Sequence, residues 1–99
     1  MTEQELQDLT DELTTKFETH SQKFIGKYCN YVNGVLLEHS LNNILSFYVN
    51  DSIISSGSRV KLNLDNTDYE NKTFAYDVSI IALSETERVQ INLVFEAVL

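Results

Sequence analysis

One cysteine, Cys29, is present in the 99 residues, so no internal disulfide can form. With His20 and His39 it makes a set too small and too irregularly spaced for zinc, which takes four ligands in recognisable pairs. No metal or other cofactor is expected. Basic residues are scarce: seven Lys and Arg face fifteen Asp and Glu, giving a net charge of −8 and a pI near 4.5. They are scattered, not gathered into a stripe, so the surface repels phosphate and direct nucleic-acid binding is not expected. An anionic membrane surface is disfavoured for the same reason. No apolar run approaches the ~18 residues that cross a bilayer. The first dozen residues carry acids where a signal peptide carries bases, so a cytoplasmic location is expected. The glycosylation-like triplets at Asn50 and Asn71 carry little weight without such a signal.

What is present describes one folded domain spanning residues 1–99. Hydrophobic residues make up 42% and charged residues 22%, close to the globular average, and the length suffices for a thin core of two layers. The pattern changes once. Residues 2 to about 50 have helical spacing, residues 58–99 alternate, and Ser55-Ser56-Gly57-Ser58 is the joint.

Thr2-Glu3-Gln4-Glu5 can form a capping box, with the Thr2 hydroxyl and the Glu5 carboxylate exchanging bonds with backbone amides. Leu6, Leu9, Leu13, Phe17, His20, Phe24 and Tyr28 then follow at steps of 3, 4, 4, 3, 4 and 4, which predicts an amphipathic helix ending near Gly26. His20 stands on that apolar stripe, as a packed histidine or a pH-sensitive group. Asn33-Gly34 has two readings: a type I′ hairpin turn, or the joint before a second helix from about Gly34 to Tyr48. Leu37, Leu41, Ile44, Leu45 and Tyr48 recur at helical steps and favour the helix. Cys29 then lies just before the joint as a buried thiol. A lone Cys and His ten residues apart do not supply the orienting group and oxyanion donors that nucleophilic catalysis needs.

In the second half, Val60, Leu62 and Leu64 alternate with polar residues, as do Phe74, Tyr76, Val78, Ile80 and Ala82, and then Val89, Ile91, Leu93, Phe95, Ala97 and Leu99. Three strands in an antiparallel meander are expected. Ile81, Leu83, Val94 and Val98 fall on the face that otherwise holds Asp77, Ser79, Gln90 and Asn92, so part of the outward face is apolar. Either a helix of the same chain covers it, or another chain does. Three strands also leave two edges.

The expected fold is α+β, two N-terminal helices packed on a three-stranded antiparallel meander; the alternative is a hot-dog-like helix wrapped by the sheet. The stretch VKLNLD (60–65) and the alternating runs to residue 99 resemble the strand region of SecB-type export chaperones. Those chaperones place their helices after the sheet, so the resemblance implies no assignment here.

Three function classes follow. The first is a small acidic, non-enzymatic binding module, inhibitor-, antitoxin- or immunity-like, that engages a basic protein surface. Its candidate contacts are Glu3, Glu5, Asp8, Asp11 and Glu12, or Asp65, Asp68 and Glu70 with Tyr69; the plain reading of each group is a solvated helix face or turn. The second is an oligomeric structural or chaperone-like subunit that pairs with itself through Ile81, Leu83, Val94 and Val98, or holds a client strand at a sheet edge. The third is a small acyl-thioester enzyme of hot-dog-like fold using Glu38 or His39, for which no glycine-rich loop, metal cluster or carboxylate pair speaks.

Overall fold

A computed structural model of the chain describes residues 2–22, 29–83 and 88–96. Helix α1 runs Glu3–Ser21. The Thr2 hydroxyl accepts from the Glu5 amide at 3.1 Å and donates to Glu5 Oε1 at 3.2 Å, so the carboxylate returns its bond to the hydroxyl instead of the backbone amide. Leu6, Leu9, Leu13 and Phe17 are buried on one side of this helix. His20, half-buried, closes the stripe; Phe24, Gly26 and Tyr28 lie outside the described residues.

Helix α2, Tyr31–Asn50, starts earlier than its apolar spacing predicts. Asn30 is the reason: its side chain accepts from the Asn33 amide at 2.9 Å, while its carbonyl takes the Gly34 amide at 2.9 Å. Asn33-Gly34 is therefore neither a hairpin turn nor a joint between helices but part of the first turn of α2. Its glycine answers to packing: a Cβ on Gly34 would lie 3.2 Å from Leu62 Cδ2 and 3.3 Å from Phe74 Cε1. Leu37, Leu41, Leu45 and Tyr48 form the buried stripe.

The sheet has strand order β1-β2-β3, with β1 at Arg59–Leu62, β2 at Thr73–Ile81 and β3 at Arg88–Glu96, all antiparallel. Strand β1 stops before the expected Leu64, which is exposed, because the Asn63 side chain accepts from the Asn66 amide and turns the chain away. Val60, Leu62, Phe74, Tyr76, Val78, Ile80 and Leu93 share one core with the buried stripes of both helices. Asp77, Gln90 and Asn92 on the other face are exposed, so both helices occupy a single side of the sheet. Helix α2 buries one stripe only and is not wrapped, which removes the hot-dog-like alternative.

Candidate functional site

Helix α1 carries six carboxylates, Glu3, Glu5, Asp8, Asp11, Glu12 and Glu18, against one lysine, Lys16: a charge of −5 within a chain of −8. All six are exposed. The core stripe of leucines and Phe17 leaves the acids the solvent side of the helix, and Glu3 and Glu5 are further favoured by the positive end of its dipole. Gln4 Nε2 donates to Asp8 Oδ1 at 2.8 Å and Gln7 Nε2 to Asp11 Oδ1 at 2.9 Å. These one-turn contacts orient two carboxylates while leaving their other oxygens to solvent. The structure thus brings Glu3, Glu5, Asp8, Asp11 and Glu12 onto one exposed helix.

The loop acids are placed differently. Asp68 is committed to its own turn: its carboxylate accepts from the Glu70 amide at 3.1 Å, the Asn71 amide at 3.2 Å and Asn71 Nδ2 at 2.6 Å. These bonds, those from Asn71 foremost, hold its carboxyl below the usual range. Asp65 and Glu70 are exposed, and Tyr69 stands partly exposed near Cys29.

Beside α1, a surface that the charge pattern did not single out appears on α2. Val32, Leu36, His39, Asn43 and Phe47 recur at steps of 4, 3, 4 and 4 along its solvent side, with Val32, Leu36 and Phe47 from 50 to 68% exposed. The one carboxylate of α2, Glu38, turns away: its Oε2 accepts from the Leu62 amide at 2.6 Å. The outer side of α2 is therefore free of formal charge. The signal is legible in the spacing, since these residues lie off the Leu37-Leu41-Leu45 stripe, but their exposure follows only from which side of α2 meets the sheet. Between the helices runs a groove of about 300 Å³ lined by Thr15, Lys16, Thr19, His20 and Ile44. The Lys16 ammonium lies 4.8 Å from the centre of the Tyr48 ring.

On the open face of the sheet the expected apolar residues do not meet. Ile81 and Leu83 sit at one end of β2, with Ile81 half-buried and Leu83 exposed. Val94 stands opposite Ala75, six residues or ~20 Å further along the strand, and Asp77–Asn92 and Ser79–Gln90 lie between. Val98 lies outside the described residues.

Cys29 and Glu38 both lie near Tyr76, and each is occupied by its own surroundings. Burial, and then the Asp68 carboxylate, push the Cys29 thiol up, which favours the thiol over the nucleophilic thiolate. Cys29 is half-buried and packs against the core, less enclosed than its sequence context suggests. Glu38 is bound to backbone, and the adjacent His39 is exposed. Among the described residues no group of three His, Cys, Asp or Glu is placed to hold a metal ion, and no helix is long and apolar enough to cross a membrane. Comparison with protein-family models, curated proteins and solved structures finds no match for this chain.

Proposed function

We propose that this protein is a small acidic, non-enzymatic binding module of the inhibitor, antitoxin-like or immunity-like kind, engaging a basic protein surface through the outer side of its helix layer. The observation that carries the reading is the division of that surface: −5 of charge on α1 lies beside an α2 face with exposed Val32, Leu36 and Phe47 and no formal charge. The two halves suit two tasks. Acids at the rim accelerate encounter with a basic partner, and exposed apolar and aromatic side chains contribute to holding it once docked. The cytoplasm, where a chain with one thiol needs no disulfide, is the proposed setting.

The test exchanges Glu3, Glu5, Asp8, Asp11 and Glu12 for their amides and follows binding of an identified basic partner at two salt concentrations. Glutamine at position 5 retains the capping box, so the helix persists. The association rate should fall roughly tenfold or more and lose most of its salt dependence, whereas Leu36→Ser with Phe47→Ser should act on dissociation. An unchanged rate and unchanged salt response in the five-amide variant would remove α1 from the proposal.

A further inference from the structure

Alternate residues of an antiparallel strand turn their N–H and C=O groups to opposite neighbours. In β2 the Ala75 carbonyl accepts from the Asn63 amide at 2.8 Å, the Ala75 amide donates to the Thr67 hydroxyl at 3.1 Å, and the Ile81 amide donates to the Ser58 hydroxyl at 2.9 Å. Odd-numbered residues of β2 thus face the β1 side, and even-numbered ones face β3. Given the pairs Phe74↔Phe95, Tyr76↔Leu93, Val78↔Ile91 and Ile80↔Val89, the odd-numbered residues of β3 are those that bond β2. Arg88, Gln90, Asn92, Val94 and Glu96 therefore direct their backbone groups to the outer edge, where no described residue pairs with them.

The two edges of the sheet are treated unequally. Along β1, side chains of α2 close the edge: Asn42 accepts from the Val60 amide at 2.8 Å and donates to its carbonyl at 2.9 Å, and Glu38 takes the Leu62 amide. Exposed edges are commonly blunted by proline, a bulge or a charge within the strand. Strand β3 has none of these: the chain contains no proline, all nine residues pair one-to-one with β2, and the seven between Arg88 and Glu96 are uncharged.

We propose that β3 is the contact of a two-fold homodimer, pairing antiparallel with β3 of a second copy about Asn92 to make one continuous six-stranded sheet. A two-fold contact must be self-complementary, and this strand is. About Asn92, Arg88 stands opposite the partner's Glu96 and Glu96 opposite the partner's Arg88. Within its own sheet neither charge is matched across the ladder, since Arg88 faces Ile81 and Glu96 faces Thr73. The same register sets Val89 beside the partner's Phe95 and Ile91 beside the partner's Leu93 on the core side. There Val89, Ile91 and Phe95 are only half-buried in the single chain. It also pairs the outward N–H and C=O groups of all five edge residues. A slip of two residues loses both ion pairs, and an arbitrary extended peptide has no reason to carry the matching pattern, which is why a second copy is the occupant. Each copy carries −8, and salt screens that repulsion as well as the two ion pairs, so the charge reversals, and not the sign of the salt response, read out this contact.

The test is solution mass by light scattering over a range of concentrations and two salt levels, on the full chain. The expected result is a reversible dimer of the 11.3 kDa chain. Arg88→Glu and Glu96→Arg each place like charges opposite one another twice and should each raise the dissociation constant by about tenfold or more. Mixed in equal amounts, the two single variants should form a heterodimer, and the double exchange should restore the homodimer. Both residues are exposed, so the variants should fold, as circular dichroism would verify. Asn92→Pro, which removes an outward amide and leaves the β2 ladder intact, should abolish the dimer. A monomer at every concentration would overturn the proposal, including one that binds an added extended peptide at this edge. So would a dimer indifferent to the charge reversals, or single variants that do not associate with each other.

Discussion

Tyr76 shows how one buried side chain ties the two halves of the chain together. Its ring is 1% exposed and its hydroxyl donates to the Gly34 carbonyl at 2.7 Å, joining β2 to the first turn of α2. Burial, followed by the nearby Glu38, Cys29 and Tyr69, raises its ionisation well above the ordinary phenol range. In the unfolded chain the phenol ionises near pH ~10, whereas in the fold it holds its proton. Above that pH the unfolded state binds fewer protons than the native state, so stability falls as pH rises. Below it the contribution is complete. Denaturant midpoints measured from about pH 8 to 11 should therefore drop for the native sequence and drop less for Tyr76→Phe, which should cost about 1 kcal/mol at neutral pH through the lost hydrogen bond. Equal alkaline slopes would remove Tyr76 as the source. That Tyr76 points inward was legible from alternation. Its partner was not, because Asn33-Gly34 carries turn chemistry in isolation, and only the approach of Leu62 and Phe74 shows why glycine stands in a helix.

Among the elements, α2 acts as a strut over β1. Glu38 and Asn42, one turn apart, present side-chain groups to the Val60 and Leu62 backbone and finish the β1 edge. Asn42→Ala would leave the Val60 N–H and C=O without these partners and should cost about 1–3 kcal/mol, read as a lower denaturant midpoint with an unchanged slope. A loss within a few tenths of a kcal/mol would mean that water replaces the amide. The helical period around these residues was readable from sequence. Their task was not: Glu38 attracts attention as a candidate base, yet its partner lies 24 residues away on a strand, and periodicity carries no information about contacts across that separation. The early start of α2 has a local cause, the Asn30 cap, which apolar spacing also does not report.

For the whole molecule, charge is the dominant surface property. At −8, with −5 on one helix, self-repulsion opposes the compact state. Raising salt from about 0.01 to 0.15 M shortens the Debye length from about 30 to 8 Å and should raise the melting temperature at neutral pH. The five-amide variant of α1 should respond less, because most of the local repulsion is gone. An equal salt response in both proteins would locate the repulsion elsewhere on the surface. The candidate surface follows the same logic: the acids of α1 were visible as a list, while their neighbour on the same side of the molecule, the uncharged face of α2, emerged only when two helices were laid on one side of a sheet.

Composition, period and capping by themselves determined the class of this protein: two helices, three alternating strands, one α+β domain and an acidic surface. These are local or summed properties, and each residue contributes to them without reference to distant ones. The tertiary structure decided what depends on juxtaposition. It set Gly34 beneath Phe74, closed the β1 edge with Glu38 and Asn42, separated Ile81 and Leu83 from Val94, and left the outer edge of β3 without a partner among the described residues. Strand order and helix placement are long-range choices, governed by which apolar stripes bury one another, and the spacing along a single stripe does not record its partner.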